Sequence, residues 1–225
     1  MKRLLSALLV AAGSPLAMAG VINFDDLNIE NFDPIAATYA DHGAGGQGDA
    51  RVGVTYSGSG GADDHLLFWN DFYGPLLKVA FTPNDGTTAQ ITLTADPGWL
   101  IESVAFDLAA WPMIDFPFWP AVDVMADVFY ALDGVSVDAP GTLVLGKSAP
   151  HFNHFALSHP TGAAVATMRW GTDWDVGIDN IHFTVVRDNR VPLPSTLALA
   201  GLALLPLVLG RRKRDDQSDR VALRR

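Results

Sequence analysis

The sequence of 225 residues contains no cysteine, so no disulfide can hold the fold together. Glutamate and basic residues are also scarce, because residues 20–190 hold 2 Glu and 6 Lys or Arg against 20 Asp. The formal charge of this segment is therefore −16. Such a charge repels nucleic-acid phosphates and anionic lipid, and we expect no nucleic-acid partner. It suits divalent cations or a polar, weakly charged partner such as a glycan.

The same segment lacks any sustained helical period, and its aspartates favour turns and caps over helix interiors. Short runs of alternating apolar and polar residues recur instead, which is typical of half-buried strands. Strands are expected in or near Val52–Tyr56, Leu77–Phe81, Gln90–Thr94, Ser103–Leu108, Val122–Leu132, Thr142–Leu145, Ala164–Trp170 and Ile181–Val185. Roughly nine strands at this spacing predict an all-β fold, an antiparallel β-sandwich or jelly roll, over residues 20–187.

Residues 1–19 have the order of a secretory signal peptide. Lys2 and Arg3 precede the apolar run Leu4–Ala12, and the segment ends in Ala17-Met18-Ala19, whose small residues suit signal peptidase. The apolar run is shorter than the roughly 20 residues that a membrane-spanning helix needs. We therefore expect export and cleavage after Ala19, which would leave Gly20 as the new N-terminus.

The other end of the chain shows a second membrane-related pattern. A linker at 188–195 is followed by 15 uncharged residues at 196–210 and by a basic tail at 211–225. As a transmembrane helix, the uncharged segment would cover about 22 Å of the roughly 30 Å hydrocarbon core. The basic cluster would keep the tail cytoplasmic, so the body would lie on the periplasmic side of the inner membrane.

The order of proline motif, short apolar helix and basic cluster resembles the PEP-CTERM sorting signal. The matching residues are Val191, Pro192, Leu193, Pro194, Arg211, Arg212, Lys213 and Arg214. Proteins with this signal are substrates of exosortase in Gram-negative bacteria that make exopolysaccharide. The resemblance implies processing by exosortase, an inner-membrane stage through 196–210, and delivery of the body to the cell surface or extracellular matrix.

Two features of the tail differ from that family. This chain has Leu193 where the family has glutamate, and it continues to Arg225 beyond the basic cluster. A permanent membrane anchor that is never cut is the alternative interpretation.

The two ends of the body more loosely resemble those of jelly-roll carbohydrate-binding modules, in which both ends of the chain share a structural calcium ion. An acidic residue follows Phe24 near the first strand, and another lies in Val176–Phe183 near the last. The resemblance implies Asp25 and Asp179 as calcium ligands. Alternatively, both carboxylates bond to the backbone or cap strand ends.

All six tryptophans lie in the body. An indole face can stack on a pyranose ring while nearby carboxylates and amides bind its hydroxyls. The candidates for glycan binding are Trp69, Asp71, Tyr73, Trp111 and Trp119. Trp99 and Trp170 are expected in the core or over its edge.

No catalytic motif accompanies these residues. The chain has no cysteine nucleophile, no G-x-S-x-G and no phosphate-binding loop, and His151, His154 and His159 lack the spacing of a metal site. We therefore predict no catalytic residues and an exported, non-catalytic surface or matrix protein that binds glycan, such as exopolysaccharide. A hydrolase of polysaccharides that uses a pair of aspartates is the alternative.

Overall fold

A computed structural model describes residues 17–58, 65–82, 87–111, 117–118, 120, 122–147, 152–171 and 174–190. The chain divides into two compact units, Met1–Asp188 and Asn189–Arg225. Across these described ranges no helix has the length and apolar character that a bilayer crossing requires. Residues 1–16 of the predicted signal peptide lie outside the described residues, as do the whole predicted sorting motif, the transmembrane segment at 196–210 and the basic tail.

Eleven strands build the described part of the first unit. They are β1 (Met18–Ile22), β2 (Val52–Gly58), β3 (Leu67–Tyr73), β4 (Leu76–Phe81), β5 (Ala89–Ala95), β6 (Trp99–Ala110), β7 (Val124–Leu132), β8 (Val135–Val144), β9 (Asn153–Ala163), β10 (Val165–Gly171) and β11 (Val176–Arg187). One sheet has the order β3-β4-β11-β6-β9, with β1 also paired to β11, and the other has the order β2-β5-β10-β7-β8. The pairs are antiparallel, so the predicted all-β, two-sheet sandwich is confirmed.

Two strands, β3 and β9, were not predicted, and β1 begins earlier than the first strand expected near Phe24. β3 and β9 lie at the two ends of the six-stranded sheet, where side chains need not alternate between core and solvent. β9 includes Pro160, a residue tolerated mainly in edge strands. β1 overlaps the predicted cleavage site, since Met18 and Ala19 pair with Val185 and Thr184.

The core lies between the two sheets and is built from the inward side chains of both. Phe24, Phe106 and Trp170 are among its largest fully buried residues. The indole N–H of Trp170 donates to the carbonyl of Val176 at 3.2 Å, which satisfies its polar atom within the core. Trp170 is therefore a core residue, as expected.

Trp99 lies at the edge of the sandwich. Its half-buried ring packs against the core and has the guanidinium groups of Arg51 and Arg187 over it, at 4.4 Å and 5.6 Å from the ring centroid. It closes one edge of the fold, which agrees with the expected role.

On one side of β11 the neighbouring strand changes from β1 to β4, and β11 has a bulge at this position. Ile181 pairs with Ile22 of β1, whereas Ile178 pairs with Ala80 of β4 on the same side of β11. The register with β6 shifts between Asp179 and His182, and Asn180 has a φ of 53°. An extra residue in the left-handed region is typical of a bulge that redirects side chains. The bulge places Asp179 at the junction between β1 and β4.

Candidate functional site

The outer face of the six-stranded sheet carries the chemistry-bearing side chains. On the central strand β6, Val104, Phe106 and Leu108 belong to the core. Because side chains alternate along a strand, the residues between them face outward. Asp107 and Ala109 therefore point to the outer face, and Trp111, just beyond the end of β6, continues the same row.

An aromatic cluster covers one end of this face. We define it as Phe32, Trp69, Trp111 and Trp174. The ring centroids are 4.8 Å apart for Phe32 and Trp69, 5.9 Å for Trp69 and Trp111, and 5.0 Å for Trp111 and Trp174. The three indoles are half-buried and Phe32 is 60% exposed, so the cluster presents aromatic surface to solvent.

The structure brings together three of the five predicted glycan-binding residues, but in different roles. Trp69 and Trp111 belong to the aromatic cluster, whereas Tyr73 is only 1% exposed and cannot present its ring to a ligand. The hydroxyl of Tyr73 donates to the carbonyl of Trp174 at 2.6 Å. Tyr73 therefore supports the cluster from below, which corrects its expected contact with glycan.

The other two predicted residues lie apart from this arrangement. Asp71 is exposed and has a φ of 106°, in the bulged part of β3 between Asn70 and Tyr73. Trp119 lies outside the described residues.

The base of the cluster is packed so closely that it requires a glycine. A Cβ atom at Gly177 would lie 2.6 Å from Cγ2 of Val79 and 3.0 Å from Cδ1 of Tyr73. Gly177 pairs with Ala109, so the floor between β11 and β6 is made of two small residues. The large side chains of β3 and β4 can therefore lie directly over the sheet.

A pair formed by Asp107 and His154 lies one row further along the same face. His154 Nδ1 is 2.6 Å from Asp107 Oδ1, and Asn180 Nδ2 donates to Asp107 Oδ2 at 3.0 Å. Asp107 is largely buried, while the His154 side chain is 57% exposed. Because Asp107 contacts Nδ1, the other ring nitrogen of His154 is left to face outward. The pair offers an oriented imidazole beside the aromatic cluster.

Asp179 is opposite Asp107 in the β6–β11 register, but its carboxylate is buried and bonded to the backbone. Its Oδ1 accepts the N–H of Phe24 at 3.3 Å. Burial raises the pKa of Asp179 to about 7, the charges of Asp25 and Asp107 add to the rise, and hydrogen bonds from the backbone of Asn180 and Phe24 oppose it. This hydrogen bond holds the chain in place just after β1, because the backbone of Phe24 lies beyond the residues that pair with β11.

The turn that follows β1 already contains a cationic group. The ammonium of Lys78 donates to the carbonyl of Asp25 and, at 2.8 Å, to the carbonyl of Leu27. The carbonyl oxygens of Asp25 and Leu27 converge on the ammonium group, and carbonyl oxygens are also common ligands of calcium ions. The turn is therefore stabilised by a lysine reaching across from β4.

The charge of Asp25, the other predicted calcium ligand, contributes to the raised pKa of Asp179. Asn23 Oδ1, two residues before Asp25 in the chain, is buried and has no hydrogen-bond partner within the described part of the chain. The described residues contain no group of three or more His, Asp or Glu side chains placed to hold a metal. Calcium binding by Asp25 and Asp179 stays a prediction.

Beyond the Asp107–His154 pair, the outer face becomes an open groove of small and polar residues. We call it the small-residue groove, and its volume is about 360 Å³. Ser103 Oγ donates to Thr184 Oγ1 at 3.0 Å within it, and exposed His182 stands beside them. The groove is lined by Ala19, Gly20, Ser103, Val104, Ala105, Ala156, Leu157, Ser158, His182, Phe183 and Thr184.

The sequence reasoning missed Asp107, His154 and Trp174 as parts of one site. A signal for Asp107 was available, because the period of two in Ser103–Leu108 places it on the polar face of a predicted strand. Its hydrogen-bond partners come from β9 and β11, and Trp174 comes from the segment before β11. Only the pairing of distant strands brings them together.

Neither a family model nor a curated protein matches this chain. Among solved structures, it is similar to an exo-β-1,3-galactanase from Phanerochaete chrysosporium, with 14% identity, a TM-score of 0.33 and coverage of 58% of this chain and 27% of that one. It is also similar to a family 29 carbohydrate-binding module, with 11% identity, a TM-score of 0.28 and coverage of 59% and 91%. Tailspike protein 4 of bacteriophage CBA120 has 18% identity, a TM-score of 0.26 and coverage of 60% and 18%. The chain thus spans about a quarter of the galactanase chain that it matches.

Proposed function

We propose that this chain is an exported, non-catalytic protein that binds glycan on the outer face of its six-stranded sheet. The observation that carries the proposal is the aromatic cluster beside the Asp107–His154 pair. A partly exposed indole surface can stack on the apolar face of a sugar ring. The oriented imidazole and the carboxylate behind it can bind hydroxyl groups at the ring edge. The strongly negative body disfavours nucleic acid and anionic surfaces as partners.

A hydrolytic role is the second candidate, because two carboxylates are directly opposed on neighbouring strands. Asp107 and Asp179 form a register pair, and burial raises the pKa of Asp179, as it does for the general acid of many glycosidases. However, Asp179 is only 3% exposed and bonds to the backbone of Phe24. A sugar on the outer face would not reach it, and we therefore favour binding over catalysis.

Binding is tested by replacing one indole of the cluster. We expect Trp111→Ala in the full-length protein to weaken binding to its best glycan about tenfold or more, because the stacking surface is lost. The measurement is a glycan array to identify the best neutral ligand, followed by calorimetric titration of each variant.

The matched control is Trp99→Ala, since Trp99 is half-buried at another edge and packs under two arginines. Thermal unfolding of both variants separates lost folding from lost binding. An equal loss of affinity in both variants, or none in Trp111→Ala, would contradict the location of the site. Hydrolysis of the bound glycan would replace the binding role with the enzymatic one.

We further propose that the tail is a sorting signal for exosortase and that the body reaches the cell surface or exopolysaccharide matrix. Support comes from the order of the motif around Pro192 and Pro194, the uncharged segment and the basic cluster. In a strain that carries an exosortase, we expect the mature protein to end near Pro194. Intact mass measured after cell fractionation checks this. A mass extending to Arg225 in the membrane fraction would favour the permanent anchor.

A further inference from the structure

We propose that the ligand is a linear, uncharged glycan of several sugar units that extends from the aromatic cluster along β6 and β11 into the small-residue groove. This inference rests on the proposed function and specifies the class of glycan. Its starting point is that the strand register places three chemically different areas in successive rows along the outer face, and we call these rows the stripe.

The strand register gives the order of this stripe. Ala109 pairs with Gly177 at the aromatic end, and Asp107 pairs with Asp179 in the next row. After the bulge in β11, the third row pairs Ala105 with His182 and the fourth pairs Ser103 with Thr184. On the other side of β6, β9 adds His154 to the second row, Ala156 to the third and Ser158 to the fourth.

The length of the stripe favours a chain over a single sugar. Outward residues on a strand are two positions apart, and each step advances about 6.6–6.8 Å. From Ala109, which is buried beneath the aromatic cluster, to Ser103 there are three such steps, so the cluster and the far end of the groove are about 20 Å apart. A single pyranose ring is much shorter than this distance, so several consecutive sugar units of one glycan can contact the stripe.

The side chains along the stripe allow an extended chain to lie flat. Ala105 and Ala156 are directly paired, so the β6 and β9 side of the middle row carries only methyl groups, and His182 stands on the β11 side of that row. The hydroxyls of Ser103 and Thr184 and the ring of His182 can exchange hydrogen bonds with sugar hydroxyls. The groove therefore offers polar contacts over a smooth, small-residue floor.

The charges along the stripe disfavour acidic polysaccharides. No Lys or Arg is among the residues that line the small-residue groove, and Asp107 lies one row before Ala105, which is part of the lining. A uronic acid would place its carboxylate near Asp107 on a body with a formal charge of −16. Neutral sugars avoid this repulsion.

The experiment uses oligosaccharides of increasing length with the full-length protein. The best neutral polysaccharide from the array is cut into fragments of two to six sugar units, and each is titrated calorimetrically. We expect affinity to rise about tenfold or more from the disaccharide to the hexasaccharide, because later units fill the groove. An oligogalacturonate of equal length is expected to bind at least about tenfold more weakly.

The matched pair of variants is Ala105→Phe and Ala131→Phe. Ala105 lies in the middle of the groove, whereas Ala131 is half-buried on the opposite sheet, in β7. We expect Ala105→Phe to lower hexasaccharide affinity to the disaccharide level and to leave the disaccharide within about twofold. Ala131→Phe should change neither value, and thermal unfolding of both variants confirms folding.

The outcomes separate the two proposals. Affinity that does not depend on length, or a hexasaccharide that binds Ala105→Phe as tightly as wild type, would overturn the extended ligand while the aromatic site stands. Equal or tighter binding of the oligogalacturonate would overturn its neutral character. If no glycan binds, neutral or acidic, the proposed function fails and this inference fails with it.

Discussion

Replacing Asp179 with asparagine is expected to make the protein more stable than wild type at pH 8, with the difference disappearing near pH 4. The pKa of Asp179 is raised to about 7 in the folded protein by burial, against 3.8 for the ordinary side chain. Between these pH values the folded state holds a proton that the unfolded chain has lost. The stability from this group is complete below about pH 4 and is lost as the pH rises through 7.

The size of the effect follows from the same linkage. Each pH unit in this window costs wild type up to about 1.4 kcal/mol, and the full difference is at most about 4 kcal/mol. Asparagine keeps an oxygen for the N–H of Phe24 and carries no charge, so Asp179→Asn avoids the loss. The measurement is the free energy of unfolding of both proteins from pH 4 to pH 8, with EDTA present.

Two comparisons make this measurement specific. Asp25→Asn removes the charge of an exposed residue that contributes to the raised pKa of Asp179, so we expect a smaller change in the pH dependence of stability.

Repeating the wild-type series with calcium chloride tests the prediction that Asp25 and Asp179 bind calcium. A bound ion would stabilise the folded state by about 2.7 kcal/mol at a concentration 100 times the dissociation constant. Parallel pH curves for wild type and Asp179→Asn would contradict the buried, proton-binding role of this carboxyl.

The second large effect is expected at Gly20. A Cβ atom there would lie 2.2 Å from Cζ of Phe183, its cross-strand partner, whose ring is buried. The ring cannot move without disturbing the core, so Gly20→Ala must displace either Phe183 or β1. We expect Gly20→Ala to lower the free energy of unfolding by about 1–3 kcal/mol, measured by denaturant titration.

Gly53→Ala is the matched control, because Gly53 also lies inside a paired strand and its new Cβ would have ordinary contacts, the nearest at 3.4 Å. Its loss should be clearly smaller. Combining Gly20→Ala with Phe183→Ala should cost less than the two single changes added together, since the clash disappears with the ring. Additive costs would show that Gly20 matters for another reason.

The sequence was informative about the fold where alternation was strict. The runs around Val52–Tyr56 and Gln90–Thr94 lie in β2 and β5, next to each other in the five-stranded sheet. Edge strands with weaker alternation, such as β9, were missed. A strand at the end of a sheet is not held to one pattern by neighbours on both sides.

The candidate site was harder to predict, for a different physical reason. Composition indicated aromatic and acidic chemistry, and Trp69 and Trp111 do share one cluster. Whether a given aromatic residue is exposed depends on its neighbours in space, and Tyr73 is buried because Trp174 and Val79 lie against it. The contact of His154 with Asp107 depends on the register of β9 against β6, which local sequence does not encode.

The position of β1 has a consequence for assembly. Its residues cover the side of β11 between Ile181 and Val185, and β4 takes over that side only at Ile178. A molecule in which β1 has detached would expose this row of backbone N–H and C=O groups, which is a template for an incoming strand. A β1 strand from another copy has the complementary register and the glycine that Phe183 requires. The integrity of this edge of the sandwich therefore depends on β1 staying in place beside β11.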